Sequence, residues 1–230
     1  MKLSDKRNDP EAAITHVKDG ATVMLGGFGV PGTPFALVQA LVRHGARDLT
    51  IIKNDANEPN MGVDHLLQSG QVARLITTHL GLNGHAIGLM NAGKIQVEFN
   101  AQGILAERIR AGGAGLGGVL SDIGIGTELA AGKQVIEFDG KTQIIEPALR
   151  ADVALLHAAR ADSFGNLAYV ATAQNFNPLM AMAADCVIAE AEAVHALGDL
   201  APNDIHTPGV FVDHVTELGV LSEEYAVVRR

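Results

Sequence analysis

The sequence predicts an α/β fold: a single domain over residues 1–230, with a mostly parallel open sheet of about seven strands, helices on both faces and a small antiparallel flap. Three observations predict it. Short apolar runs alternate along the chain with segments of helical spacing, the pattern of βα units. A strand, a glycine-rich loop and a helix start follow one another at Ala21–Pro34. Asp139-Gly140 stands between two apolar runs, the strongest short hairpin signal in the chain.

Taken in order, Asp9-Pro10-Glu11 opens a short helix with Ala13, Ile14 and Val17 on one face, ending at Asp19-Gly20. Ala21 to Leu25 reads as a buried strand. The loop after it carries Gly26, Gly27, Gly29 and Gly32, and Thr33-Pro34 then predicts a helix with a hydroxyl N-cap and a proline at its first position. That helix places Leu37, Val38, Leu41 and Val42 on one face and stops at Gly45. Strands follow at Leu49 to Ile52, Val72 to Thr77 and Ile95 to Phe99, separated by helices near Val63 to Gln68 and His85 to Asn91. A helix over Ile104 to Ile109 puts Gln102 at a strand-to-helix turn, where ligand-contacting residues collect in open α/β sheets. Glycine density then predicts a mobile loop over 112–118. Beyond it come the hairpin of Val135 to Phe138 with Thr142 to Ile145, a strand at Val153 to Leu156, a helix from Asn177-Pro178 to Ala184, and strands at Cys186 to Ala189 and Val210 to Val212.

Composition narrows the function. A net charge of -9 with no run of Lys or Arg argues against a nucleic-acid or membrane-surface partner. No apolar stretch approaches the roughly 20 residues that span a bilayer, and the first ten residues carry charges where a signal peptide is apolar. Cys186, the single cysteine, has no partner for an internal disulfide. The expectation is a cytoplasmic protein.

The loop is the first candidate for chemistry. Bare backbone N–H groups and the positive end of a helix dipole suit a phosphate, a carboxylate or a developing oxyanion. Read as letters, Gly27-x-Gly29-x-x-Gly32 also satisfies the dinucleotide fingerprint, with Asp55 about where a ribose-binding acid belongs. Pro31 stiffens that turn and Pro34 moves the helix start past the third glycine, which counts against a nicotinamide or flavin oxidoreductase. Anion binding, a dinucleotide and a purely structural turn all remain open on these residues alone. Nine histidines show no H-E-x-x-H spacing and Cys186 has no metal-type spacing, so no metal site is expected. His79 and His85 read as loop or surface histidines, and Glu58 as a solvated turn acid. Cys186 reads as a small core hydrophobe. No G-x-S-x-G is present, so the usual α/β-hydrolase nucleophile is missing.

Four separated blocks carry a resemblance that runs from about Val17 to about Val215. They are Asp19-Gly20 with Gly26-Gly27-Phe28, Gly32 and Pro34; Gln102 through Gly115; Leu149-Arg150-Ala151-Asp152; and Asp162 through Leu167 with Asn175-Phe176-Asn177-Pro178. Together they resemble the α subunits of family I CoA-transferases, and most of all those of short-chain acetate or acetoacetate CoA-transferases. The resemblance implies a CoA-transferase-like fold and an enzyme that moves CoA between an acyl-CoA, short-chain or 3-oxoacyl, and a carboxylate, with coenzyme A as substrate and no permanently bound cofactor. In that family a glutamate of the β subunit attacks the thioester and passes through a glutamyl-CoA thioester. This chain lacks the Ser-Glu-Asn-Gly type motif that carries the glutamate, so the resemblance implies half an enzyme, active only with a β subunit, in an α2β2 assembly. It further implies that Gly26, Gly27, Phe28, Gly29, Val30, Pro31 and Gly32 line the CoA or acyl site. By the same likeness Gln102 supplies an oxyanion or acyl-pocket contact, and Asn54 and Asp55, in the polar turn after the second strand, touch the pantetheine arm. Ser121-Asp122-Ile123 departs from the Thr-Pro-Thr of relatives. If that segment faces the acyl pocket, the charge of Asp122 predicts altered acyl specificity.

Overall fold

The computed structural model describes residues 4–225. In chain order the elements are α1 (Pro10–Ala13), β1 (Thr22–Leu25), α2 (Phe35–His44), β2 (Leu49–Ile52), α3 (Val63–Gln68), β3 (Val72–Thr77), α4 (Gly84–Asn91), β4 (Gln96–Phe99) and α5 (Gln102–Gly113). They continue with β5 (Gly118–Ser121), β6 (Val135–Phe138), β7 (Lys141–Pro147), β8 (Ala151–Asp162), β9 (Leu167–Ala168), α6 (Asn177–Ala183), β10 (Ala184–His195) and β11 (His214–Glu217). The main sheet runs β11-β10-β8-β1-β2-β3-β4 with every neighbouring pair parallel, and β9 adds one antiparallel pairing to β8. The flap is the antiparallel set β5-β7-β6.

Period-2 alternation sorts the strands between two cores. Val23 and Leu25 of β1, Leu49 and Ile51 of β2, and Val153 and Leu155 of β8 join one core with residues of α1, α2, α3 and α4. Met24, Ile52, Ala154 and Leu156 point the other way, against α5 and α6. Burial of each such Leu, Ile or Val stabilises the fold by about 1.5–3 kcal/mol. The chain winds outward from β1 to β4 on one side, then returns at β8 on the other, so the order reverses between β1 and β8. That reversal opens a crevice at the carboxyl ends of these strands, the position where open α/β sheets bind ligands.

Four expectations need correction. Residues 112–118 form no mobile loop: Gly112 and Gly113 complete α5, Gly118 begins β5, and Gly115 at φ +72° ends the helix. The amides of Gly115 and Leu116 return to the carbonyls of Gly112 and Ala111, a Schellman closure. Residues 210–212 are no strand. Gly209–Phe211 is a 3-10 turn, because Lys6 Nζ takes the carbonyls of Gly209 and Val212 at 2.7 and 2.6 Å, and the edge strand comes later as β11. β8 and β10 are 12 residues long where four had been expected of each. Finally, Asn177 does not cap α6, since its side chain turns inward to Gly32, Ala173 and His157. The hairpin is as expected, Asp139 and Gly140 both taking positive φ between Phe138 and Lys141.

Candidate functional site

The loop after β1 occupies the reversal point and is held from several sides. Gly26 N–H donates to Leu155 O of the neighbouring strand at 3.0 Å, and Phe28 N–H closes a turn onto Pro31 O at 3.1 Å. Three asparagine amides bind its carbonyls: Asn57 that of Gly29 at 2.8 Å, Asn175 that of Pro31 at 2.9 Å and Asn177 that of Gly32 at 3.1 Å. Gly27 sits at φ +101°, and a Cβ there would lie 2.2 Å from Thr33 Oγ1, so no larger residue fits without moving the turn. The amides of Gly27, Val30 and Gly32 make no hydrogen bond among the described residues. Phe28 stays half exposed and presents its ring outward.

A hydrogen-bonded run ties this loop to the ends of β2 and β4. Gly29 N–H donates to Asp55 Oδ2 at 2.8 Å, Asn54 Nδ2 donates to the same oxygen at 3.0 Å, and Gln102 Nε2 donates to Asn54 Oδ1 at 2.7 Å. Asn54 is fully buried, which corrects the expected contact with a pantetheine arm, and its carbonyl accepts from Thr77 Oγ1 and from the hydroxyl and amide of Thr78. Gln102, the first residue of α5, is exposed. Asp55 also pairs with the fully buried Lys53 Nζ at 3.3 Å and accepts from Asn57 N–H at 2.8 Å. Burial pushes the Asp55 carboxyl up, but Lys53, Gly29, Asn54 and Asn57 outweigh it and hold the carboxyl at about 2. The acid that resembled a ribose ligand is therefore spent on the loop itself, which removes the structural support for an oxidoreductase.

The helix dipole expected to face a ligand is engaged internally. Thr33 does not cap α2, because its hydroxyl turns back to Gly29 O at 2.7 Å. Instead Glu190 of β10, fully buried, accepts from Leu37 N–H at 2.8 Å and contacts His157 Nδ1 at 2.9 Å. Burial raises the Glu190 pKa, with His157 and the helix amides of Leu37 and Ala36 opposing. Tyr225 completes the group by donating its hydroxyl to Thr33 O and packing its ring edge-on to Phe35. Sequence reasoning missed Glu190 and His157, which look like ordinary charged residues inside apolar runs.

Two adjoining cavities flank the loop. One of about 540 Å³ is lined by Phe28, Pro31, Thr172 and Asn175. A second, of about 280 Å³, shares Pro31 and Thr172 and reaches His157, Glu192 and Tyr225. Ala171, on the wall of the second, holds φ +48°, a strained value for a residue with a Cβ, and nothing in the sequence signalled it. The remaining candidates lie elsewhere. His85 binds Asp64 at 2.9 Å, His79 bridges Asp55 through the backbone, and Glu58 is exposed in its turn. Asp122 and Ile123 are exposed at the end of β5, and neither lines the two cavities. Among the described residues no helix is long and apolar enough to cross a membrane.

The family model described as Coenzyme A transferase matches residues 7–218. A probable coenzyme A transferase subunit alpha of Bacillus subtilis is 48% identical over 89% of this chain and 90% of its own. The acetate CoA-transferase subunit alpha of Escherichia coli K12 is 46% identical over 86% of this chain and 90% of its own. Among solved structures, an acyl-CoA transferase of E. coli O157:H7, crystallised as a thioester complex with CoA, superposes with a TM-score of 0.85 at 24% identity. It matches 96% of this chain, which spans about half of that longer protein, 48% of its length. A loop at the sheet's reversal point, a matching architecture and close relatives named as alpha subunits converge, and the chain belongs to the coenzyme A transferase family.

Proposed function

We propose that this chain is the α subunit of a heteromeric enzyme that transfers CoA between an acyl-CoA, short-chain or 3-oxoacyl, and a free carboxylate. CoA is a substrate, and no cofactor stays bound. A glutamate on the partner β subunit attacks the thioester carbon, the resulting anhydride is opened by the CoA thiolate, and a glutamyl-CoA thioester hands CoA to the second carboxylate by the reverse steps. Each addition places negative charge on an oxygen, and neutral, fixed donors stabilise it best.

The observation that carries this reading is the run Gly29–Asp55–Asn54–Gln102. Asn54 accepts one N–H of the Gln102 amide, and Gln102 itself is exposed. The glutamine is thus an anchored donor at a strand-to-helix turn, and its role is to bind the developing oxyanion or the acyl carbonyl. Gly26, Gly27, Phe28, Gly29, Val30, Pro31 and Gly32 form the wall that receives the acyl-CoA, and Asn54 fixes Gln102 beneath it. The same reading has the chain act as one domain, in the cytoplasm, within an α2β2 assembly; the naming of its relatives as alpha subunits supports the partner chain.

Co-expression with the β subunit, followed by a panel of acyl-CoA donors and carboxylate acceptors, tests the proposal. CoA exchange should need both chains, and borohydride should trap a glutamyl thioester on the partner. Gln102→Ala should lower kcat about 100-fold, as loss of one oxyanion donor does. Exchange by the purified single chain, or an unchanged kcat in that variant, refutes it.

A further inference from the structure

His16, Cys186 and His214 come together at the opposite end of the parallel strands from the glycine loop. Register explains why. Ile188 of β10 pairs with His214 of β11, and Cys186 lies two residues before Ile188, so the thiol and the imidazole share one face of the sheet. That face carries the core into which Ala13, Ile14 and Val17 pack, so the 3-10 turn Ile14–His16 delivers the second imidazole to the same spot. One ligand atom from each of the three residues lies within 4.8 Å of the others. The two imidazole rings stand 4.8 Å apart at 31°.

We propose that these three side chains form a binding site for a borderline-soft divalent cation of the zinc class, with water as the fourth ligand. A tetrahedral site with usual zinc bond lengths holds its nitrogen and sulfur ligands about 3.5 Å apart, so the cluster needs to close by about 1 Å. His16 is exposed, and the closing movement falls to it. Asn8 lies 3.2 Å from His214 Nδ1 and holds that ring in place, the kind of outer contact that orients a ligating imidazole. Asp213 adds negative charge beside both Cys186 and His214, while Lys6, the nearby cation, is engaged with the carbonyls of Gly209 and Val212. Binding forms a metal–sulfur bond, and the thiol proton leaves to solvent, one proton per ion. Spacing along the chain could not find this site, because its ligands come from three separate elements, and the expectation of no metal site is the one it replaces. The ion would clip the N-terminal segment to the edge of the sheet, away from the transferase centre.

Titration of the untagged full chain with Co²⁺ at neutral pH tests this. A thiolate-to-cobalt absorption band saturating at one equivalent is expected. Cys186→Ala should abolish the band, and His16→Ala, an exposed position whose loss leaves the core intact, should weaken Zn²⁺ affinity at least tenfold in competition with a chromophoric chelator. No band in the unmodified chain, or the same Zn²⁺ affinity in His16→Ala, overturns the proposal.

Discussion

Two segments of this chain are dense in glycine and use it differently. Residues 26–32 hold four glycines in seven positions and residues 112–118 hold five. In the first, glycine lets the backbone turn through conformations closed to other residues at the mouth of a crevice, where asparagine amides then lock it. In the second, it lets a helix lie directly on its neighbours: a Cβ on Gly112 would sit 1.9 Å from Leu149 O, and one on Gly113 would sit 2.7 Å from Met182 Cβ. Neither segment is loose. At Gly27, Gly112 and Gly113 glycine marks close approach of backbone to something, and only the fold says to what.

Substitutions rank the two uses. The largest effect belongs to Gly27→Ala, which combines strain at φ +101° with a clash against Thr33, and should cost about 4 kcal/mol in denaturant unfolding. An intact midpoint there would mean that the first loop is pliable after all. Next is Asp55→Asn, which frees Gly29 and leaves Lys53 buried without its counter-charge, a loss of about 3 kcal/mol. The same carboxyl makes stability depend on pH with a fixed sign. Its folded pKa of about 2 lies below the ordinary 3.8, so its contribution is complete above pH 4 and is lost as pH falls toward 2. Acid titration of unfolding should show a drop across that window that is larger, by on the order of 2 kcal/mol, in the unmodified chain than in Asp55→Asn.

Gly112→Ala should cost about 2 kcal/mol, the gain in helix propensity being outweighed by contact with a backbone carbonyl that cannot step aside. A stabilised variant would show that the second segment was merely a weak helix end. The smallest effects belong to Gly29→Ala and Gly115→Ala. Both positions have positive φ with open space around the missing Cβ, so each should lose about 1 kcal/mol by thermal unfolding.

The strands β1 to β4, the helices between them and the hairpin were legible because each depends on local period or on a two-residue turn. The lengths of β8 and β10 were not. Arg160, Asp162, Glu190 and Glu192 interrupt their apolar runs, and nothing local tells a buried, hydrogen-bonded glutamate from a solvated one. The same blindness hid the cap of α2, since Thr33-Pro34 satisfies the local rule and Glu190 arrives from a strand more than 150 residues away. Asp55 shows the converse. Its position in the sequence fits a ribose ligand, and only the direction of its carboxylate, inward to Gly29, removes that reading. Gln102 was singled out by its strand-to-helix turn and by family likeness, Asn54 by family likeness alone, and their mutual hydrogen bond comes from the fold.

The central place of β1 has a consequence for biosynthesis. Thr22 N–H donates to Asp152 across 130 residues of chain, and one whole side of β1 pairs only with β8. While the ribosome is still making the flap, β1 to β4 can assemble but keep a bare apolar edge, the kind that invites pairing with a neighbouring nascent chain. Such long-range closure folds slowly. Aggregation during overproduction should therefore respond to translation speed between β4 and β8 more than to the strength of any single contact in the finished fold.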